Sequence, residues 1–370
     1  MKIIAIDATD INSLGGLLHL KQIAKVLSKK NVNLILFSNT FVCNNLKSNL
    51  KIKIINKKIF DKNFFIRYLW KLIFLKSKLK KKNCDILISL NGIYHGLFRP
   101  TLLLQQNVLP FENHAKNKYN FILKIKFFLQ KKAILFSIKF HRNIVFTSHD
   151  IKNKILNHFN QKNILRQSVI YHGVLKQKKT KKKIIFQKKL RLLFVSEFQK
   201  YKNHENLFKA IQIAKNKNIS LTCVGRYQKS YLKYLKLKYN LKKLNIKIIK
   251  NSSHIKILNI YKNYDAFIFP SLCESFGLPV LEAAANKIPI LCSNLKIFKE
   301  IYGQNCFYFN PNKSKSIFNE INNFLSLNKN QIKNKINNAY NISKNLSWTK
   351  CGNQYYDIIL NSIKSYEKKN

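Results

Sequence analysis

Two carboxylates, Glu274 and Glu282, stand eight positions apart in the stretch that runs from Phe269 to the alanines at 283–285, with Gly277 and Pro279 between them. Pro279 suits the first turn of a helix, where a missing N–H costs nothing. Gly277 just before it lets the backbone approach a ligand closely. A helix starting there would offer free N–H groups and the positive end of its dipole, which together form a site for a diphosphate. Glu274 then falls in the strand-to-helix loop and Glu282 in the first turn or so of the helix. Both can point into one cleft from either side of the phosphates. A carboxylate accepts hydrogen bonds from two hydroxyls at once, which suits ribose or hexose rings.

Such a loop belongs at the carboxyl end of a strand, and the chain supplies strands in two series. Residues 2–7 form a short apolar run, followed by turn residues at 12–16, with Gly15 and Gly16 among them. A helical pattern follows through Leu17, Leu18, Ile23, Ala24 and Leu27, and residues 32–37 read as a second strand. Brief buried-type runs at 85–90, 101–104 and 143–147 extend the series. The alternation restarts with strands at 190–195, 220–224, 246–249, 266–269 and 289–292, and with helices at 206–214 and from 279. Two α/β alternations in 370 residues imply two Rossmann-like domains. The expected domains are residues 1–180 and 181–348, divided in the Lys-rich stretch 176–189, with a last helix at 349–370 that stands apart.

At this point the sequence resembles a known family. Glu274 and Glu282, with Phe-Gly-Leu-Pro between them, are similar to the E-x7-E motif of the retaining glycosyltransferases of family 4 (glycosyl transferases group 1), which have the GT-B fold. Gly15-Gly16 resembles the Gly-rich loop near the N-terminus of that family. Phe194-Val-Ser followed by Lys202-Asn203 resembles the opening of its C-terminal domain, Tyr171-His-Gly173 the end of its N-terminal domain, and residues 265–271 the approach to the motif. The resemblance implies an α/β GT-B architecture, two Rossmann-like α/β/α domains facing a cleft, with the C-terminal helix crossing back to the N-terminal domain. It implies transfer of a sugar from a UDP-, GDP- or ADP-sugar to a hydroxyl of a glycan or lipid-linked glycan, in cell-envelope glycan synthesis. Glu274 would bind the donor sugar, Glu282 the ribose hydroxyls, and Lys202 the leaving diphosphate. Gly15, Gly16 and the backbone of Ser275, Phe276, Gly277 and Leu278 would also contact the donor.

The chain departs from the family pattern in two places. Glu197 stands where an Arg often precedes the phosphate-binding Lys, so the second basic role passes to Lys200 or Arg226. Where many members have His-Asp, the chain reads Gln105-Gln106-Asn107, which makes Gln106 and Asn107 the acceptor-side candidates and removes a titrating group. His19, His95, His114, His149 and His172 read as structural. No carboxylate is placed as a nucleophile, which fits a front-face substitution: the departing phosphate oxygen takes the acceptor proton, with retention at the anomeric carbon. No Asp-x-Asp pair or His/Asp cluster has ligand spacing, so no metal or other cofactor is expected.

The formal net charge is +54, and 63 of the 69 basic residues are Lys. Nucleic-acid readers depend on Arg for bidentate contacts, so a specific nucleic-acid partner is not expected. Nonspecific RNA or polyanion binding remains the alternative from a different class, and a GT-B nucleotide-sugar epimerase the alternative within the fold. Two stretches, 60–79 and 119–140, interleave aromatic and aliphatic residues with Lys, as interfacial helices do and as sheet-covering helices with an all-Lys exposed side also do. Around Arg67, the side chains of Phe64, Tyr68 and Trp70 are expected in a headgroup layer. Seven scattered cysteines without CxxC spacing point to a reducing compartment. No apolar run reaches the roughly 18–20 residues of a spanning helix, so the expected place is cytoplasmic, or peripheral at the inner membrane face.

Overall fold

The computed structural model describes residues 1–46, 51–159, 166–175, 189–214, 218–227, 229–250 and 254–368. The chain divides into two compact units. The first comprises Met1–Phe111, Ile125–Gly173 and Ser347–Asn370, and the second Glu112–Lys124 and Val174–Leu346. The expected divide within 176–189 falls almost wholly outside the described residues. After Gly173 the chain passes into the second unit again at Val174 and returns to the first after Leu346. Residues 112–124, which the sequence places in the first domain, pack with the second unit.

In the first unit seven strands form one parallel sheet: β1 (Lys2–Ala8), β2 (Val32–Ser38), β3 (Ile52–Asn56), β4 (Ile86–Ser89), β5 (Thr101–Gln105), β6 (Asn143–Phe146) and β7 (Arg166–Val169). Their order is β3-β2-β1-β4-β5-β6-β7, so the direction of winding reverses between β1 and β4. Ile4 of β1 pairs with Leu34 of β2 on one side and Ile86 of β4 on the other. Central strands such as Leu102–Leu104 are fully buried, as expected where helices cover both faces of a parallel sheet.

The C-terminal helix Trp348–Glu367 packs in this same unit, against the helix Leu14–Leu27. A Cβ on Gly352 would lie 2.5 Å from Val26 Cβ, so only a bare backbone allows the two helices to come this close. Beside that contact the rings of His19 and His172 stack at 4.4 Å, with Trp348 and Tyr355 around them. Burial holds His19 well below the ordinary histidine range and His172 down to about 3. Both are therefore neutral packing groups. His114 and His149 are exposed.

In the second unit six parallel strands follow: β8 (Leu190–Val195), β9 (Ile219–Gly225), β10 (Ile246–Lys250), β11 (Ala266–Phe269), β12 (Ile290–Ser293) and β13 (Phe307–Phe309). Their order is β10-β9-β8-β11-β12-β13, with the reversal between β8 and β11. Ala266 pairs with Leu192 and Phe267 with Leu193. The loops leaving these two strands diverge at a topological switch point, where α/β sheets bind their ligands.

Burial also pushes His141 to about 4, in the first unit, and His204 to about 3, in the second. An unfolded histidine titrates near 6.5. These groups are depressed in the folded state, so their contribution is complete above pH 6.5 and is lost as the pH falls from there toward the folded values. At pH 5.5 each of His141, His172 and His204 costs about 1.4 kcal/mol. The melting temperature is expected to fall steeply between pH 7 and pH 5. A flat profile by circular dichroism over that range would contradict the neutral assignment.

Candidate functional site

The loop after β8 and the loop after β11 are stitched together before any charged group is placed. The Lys200–Lys202 turn ends at Asn203, a residue in the left-handed region with φ 64°. The Asn203 side-chain amide donates to the carbonyls of Pro270 (3.1 Å) and Pro311 (2.7 Å), and Leu272 N–H donates to the Tyr201 carbonyl at 2.8 Å. This clamp brings Lys202 Nζ to 2.5 Å from Glu274 Oε1. The two side chains are only 11% and 9% exposed, and the ammonium also lies 5.3 Å from the centre of the Phe269 ring. Burial opposes the charge on Lys202, but the Glu274 carboxylate outweighs it and holds the pKa above the ordinary lysine value. A desolvated pair of this kind holds a cation and a hydroxyl-binding carboxylate ready at one point.

Glu282 lies one helix turn further on. Its carboxylate is buried and accepts a hydrogen bond from Tyr261 Oη at 2.9 Å. The same hydroxyl lies 3.2 Å from the Pro279 carbonyl, so Tyr261 fixes both the carboxylate and the start of the helix Leu278–Ala285. Neither spacing nor composition singles out Tyr261, which reaches the site from 21 residues upstream. The helix start itself is less open than the sequence reading had it. Pro279 has no N–H, and Val280 N–H turns back to the Gly277 carbonyl at 2.9 Å. Among the first three helical residues this leaves the Leu278 N–H, with the dipole behind it, to face an anion.

Gly277 precedes the helix with φ 82°, and a Cβ there would lie 2.5 Å from Phe298 Cε1. Phe276 is fully buried beside it, and Ser275 is half-buried. Replacing Gly277 with Ala combines a left-handed backbone with a ring clash. We expect a loss of about 1–3 kcal/mol in stability. A Gly277→Ala variant with unchanged melting temperature would contradict this reading.

Glu197 and Arg226 account for one another. Gly225 abuts the β8 loop so closely that a Cβ would fall 1.7 Å from the Ser196 carbonyl oxygen. Across this contact Arg226 bonds Glu197 Oε1 at 2.9 Å, and Phe198 N–H donates to the Arg226 carbonyl at 2.9 Å. The acid in the expected place of an Arg is thus matched by an Arg from the next strand, and the pair is neutral. Lys200 is exposed.

The remaining candidates belong to the first unit. Gly15 and Gly16 open the helix Leu14–Leu27, where the Ser13 hydroxyl caps Gly16 N–H at 3.1 Å. The Gln106 amide nitrogen donates to the Leu90 carbonyl at 2.8 Å, and Asn107 is half-buried next to it. Sequence reading missed a buried charge cluster at the carboxyl end of β1. Lys71 Nζ lies 2.9 Å from Asp7 and also bonds Asp10, and Arg67 Nε lies 2.8 Å from Asp10. Burial works against the Asp10 carboxylate, and Lys71 and Arg67 hold it below its ordinary range all the same.

That cluster corrects the reading of residues 60–79. The helix Phe64–Trp70 continues through a wider turn, Lys71–Leu75, into Lys76–Lys80. Trp70 and Lys71 face inward: Trp70 packs edge-on against Phe60 at 4.7 Å, and Tyr68 bonds His95 Nδ1. Trp70 is buried and so not available to a headgroup layer, while Tyr68 is half-buried. The exposed apolar side chains are Phe65, Ile66, Leu69, Ile73 and Phe74.

Comparison with known proteins adds three findings. Residues 176–342 match the family described as "Glycosyl transferases group 1". The O-antigen chain mannosyltransferase RfbU of Salmonella typhimurium is 27% identical over 210 residues, 56% of this chain and 57% of that protein, so the match takes in little more than half of the relative's length. Among solved structures, a glycosyltransferase from Rickettsia africae superposes with a TM-score of 0.73 at 20% identity, covering 98% of this chain and 99% of the other. Anabaena HepE, solved in complex with UDP and glucose, gives 0.72 at 15% identity, covering 96% and 98%. The fold is therefore the one these glycosyltransferases share, two Rossmann-like α/β domains of the GT-B class, and residues 176–342 of it match the group 1 glycosyl transferases.

Proposed function

We propose that the protein is a glycosyltransferase that moves a sugar from a nucleotide-sugar donor to a hydroxyl of an envelope glycan, with retention at the anomeric carbon. The observation that carries this is the Lys202–Glu274 pair at the β8/β11 switch point, with Glu282 held by Tyr261 eight residues beyond. The group 1 match over 176–342 and the similarity to an O-antigen chain mannosyltransferase support it. In this reading the donor enters between the two loops and its diphosphate takes Lys202 from Glu274. The released carboxylate accepts a sugar hydroxyl, while Glu282 accepts the ribose hydroxyls. As the bond to the anomeric carbon breaks, charge grows on the phosphate oxygen, which Lys202 and the Leu278 N–H stabilise. The same oxygen takes the proton of the acceptor hydroxyl. Arg226, tied to Glu197, borders the β8 loop and orients it. Gly15 and Gly16 are proposed as donor-side residues, and Gln106 and Asn107 as acceptor-side residues.

The leaving charge is met by a fixed ammonium, so turnover is proposed to survive chelation of divalent cations. The unit that carries Phe65, Ile73 and Phe74 is proposed to rest on an anionic membrane, where a lipid-linked acceptor is presented. The test is incubation with UDP-, GDP- and ADP-sugars and a lipid-linked acceptor in EDTA, reading the anomeric configuration of the product by proton coupling. Retention with one nucleotide class is expected. An inverted product, or a strict metal requirement, would overturn the corresponding part.

A further inference from the structure

We infer that the second unit holds a binding cavity for an oligosaccharide, walled on one side by the loop after β8 and distinct from the Lys202–Glu274 pair. The cavity, about 620 Å³, lies between residues 117–123 and the turn at 198–203. Its size falls within the range of small-molecule sites. None of Glu274, Glu282 or Arg226 lines it.

The character of the walls selects the ligand. Tyr119, Tyr231 and Tyr234 present aromatic surface, with the rings of Tyr231 and Tyr234 nearly parallel at 14°. Sugar rings offer C–H faces that pack on such surfaces. Asn117, Asn120 and Gln199 supply amides, each both donor and acceptor, as a hydroxyl is. The lining carboxylate, Glu205, is bound to Lys238 at 2.5 Å and to the Tyr234 hydroxyl at 3.0 Å, and Lys118 and Lys200 add ammonium donors that sugar hydroxyls can accept from. Asn203 also lines the cavity; it is 1% exposed, and its Oδ1 has no hydrogen-bond partner among the described residues. A buried acceptor of this kind calls for a donor, which a hydroxyl supplies.

The cavity is joined to the donor site by a shared wall. Gln199, Lys200 and Asn203 of that wall belong to the turn that carries Lys202. Under the glycosyltransferase reading, on which this part rests, the bound chain is the glycan already made, held while its end is extended.

The probe is mannotetraose added to the full-length chain, with binding read by saturation-transfer NMR and donor turnover followed separately. Binding is expected to persist in saturating UDP or GDP. Tyr234→Ala should weaken it about five- to tenfold with donor hydrolysis unchanged, and Tyr234→Phe should restore it if ring packing carries the contact. Gln199→Ala supplies an independent second probe of the wall. Displacement by nucleoside diphosphate, absence of binding, or binding indifferent to both Tyr234→Ala and Gln199→Ala would overturn the inference. Tyr234-dependent binding without hydrolysis of any nucleotide sugar would leave the cavity standing and remove the transferase reading.

Discussion

Replacing Lys202 with Met is expected to lower donor turnover about 10²–10³-fold, because a preorganised cation at a leaving phosphate is worth that much. The same change strands the Glu274 carboxylate in a buried place, where an unpaired charge costs about 3–5 kcal/mol of stability. The two effects separate in the double variant Lys202→Met, Glu274→Gln, which removes both charges at similar volume. Its melting temperature should return toward the wild-type value while turnover stays low. If turnover returned along with stability, the pair would be structural only.

The second large effect concerns the exposed apolar face of the first unit. His95 joins two of its helices. Its Nδ1 bonds Tyr68, its Nε2 lies 2.9 Å from the Ala133 carbonyl, and its ring meets Phe136 edge-on at 4.7 Å. Phe65, Ile73 and Phe74 on one helix, and Phe128, Leu129 and Phe140 on the other, are all exposed. Each Lys close to an anionic surface adds about 1 kcal/mol of attraction. Changing Lys76, Lys78, Lys80, Lys81 and Lys82 to Gln should therefore reduce partition onto anionic vesicles about 10³–10⁴-fold at low salt. Phe65→Ser with Phe74→Ser should reduce it further, through lost apolar burial. Donor hydrolysis in solution should be unchanged in both sets. A wild-type protein that does not float with anionic vesicles at low salt would contradict the membrane reading.

The central strands and the E-x7-E loop were legible because each is a short apolar run or a fixed spacing. The sequence reading missed β3, β7 and β13. β3 (Ile52–Asn56) and β7 (Arg166–Val169) are sheet edges, half-exposed and carrying Lys, Asn, Arg or Gln, so they read as loops. β13 is three residues long and gives no period to detect. The inward turn of Trp70 and Lys71 was hidden for another reason: a helix with Lys on every side has no polar face to mark its outside. Only the fold shows that Lys71 is neutralised by Asp7 and Asp10, 60 or so residues earlier in the chain. Tyr261 and the Asn203 clamp were illegible for the same cause, since their partners lie far away in sequence. The pairing of Glu197 with Arg226 likewise required the closeness that Gly225 permits.

The most direct test of the site is donor hydrolysis by purified wild-type protein and by Glu282→Gln, across UDP-, GDP- and ADP-sugars. One nucleotide class should be consumed by the wild type. In Glu282→Gln the donor KM should rise at least tenfold with kcat little changed, because ribose contacts are made in the ground and transition states alike. If no nucleotide sugar is hydrolysed or bound, or if Glu282→Gln has wild-type KM with its fold intact, the assignment of this loop to the donor is wrong.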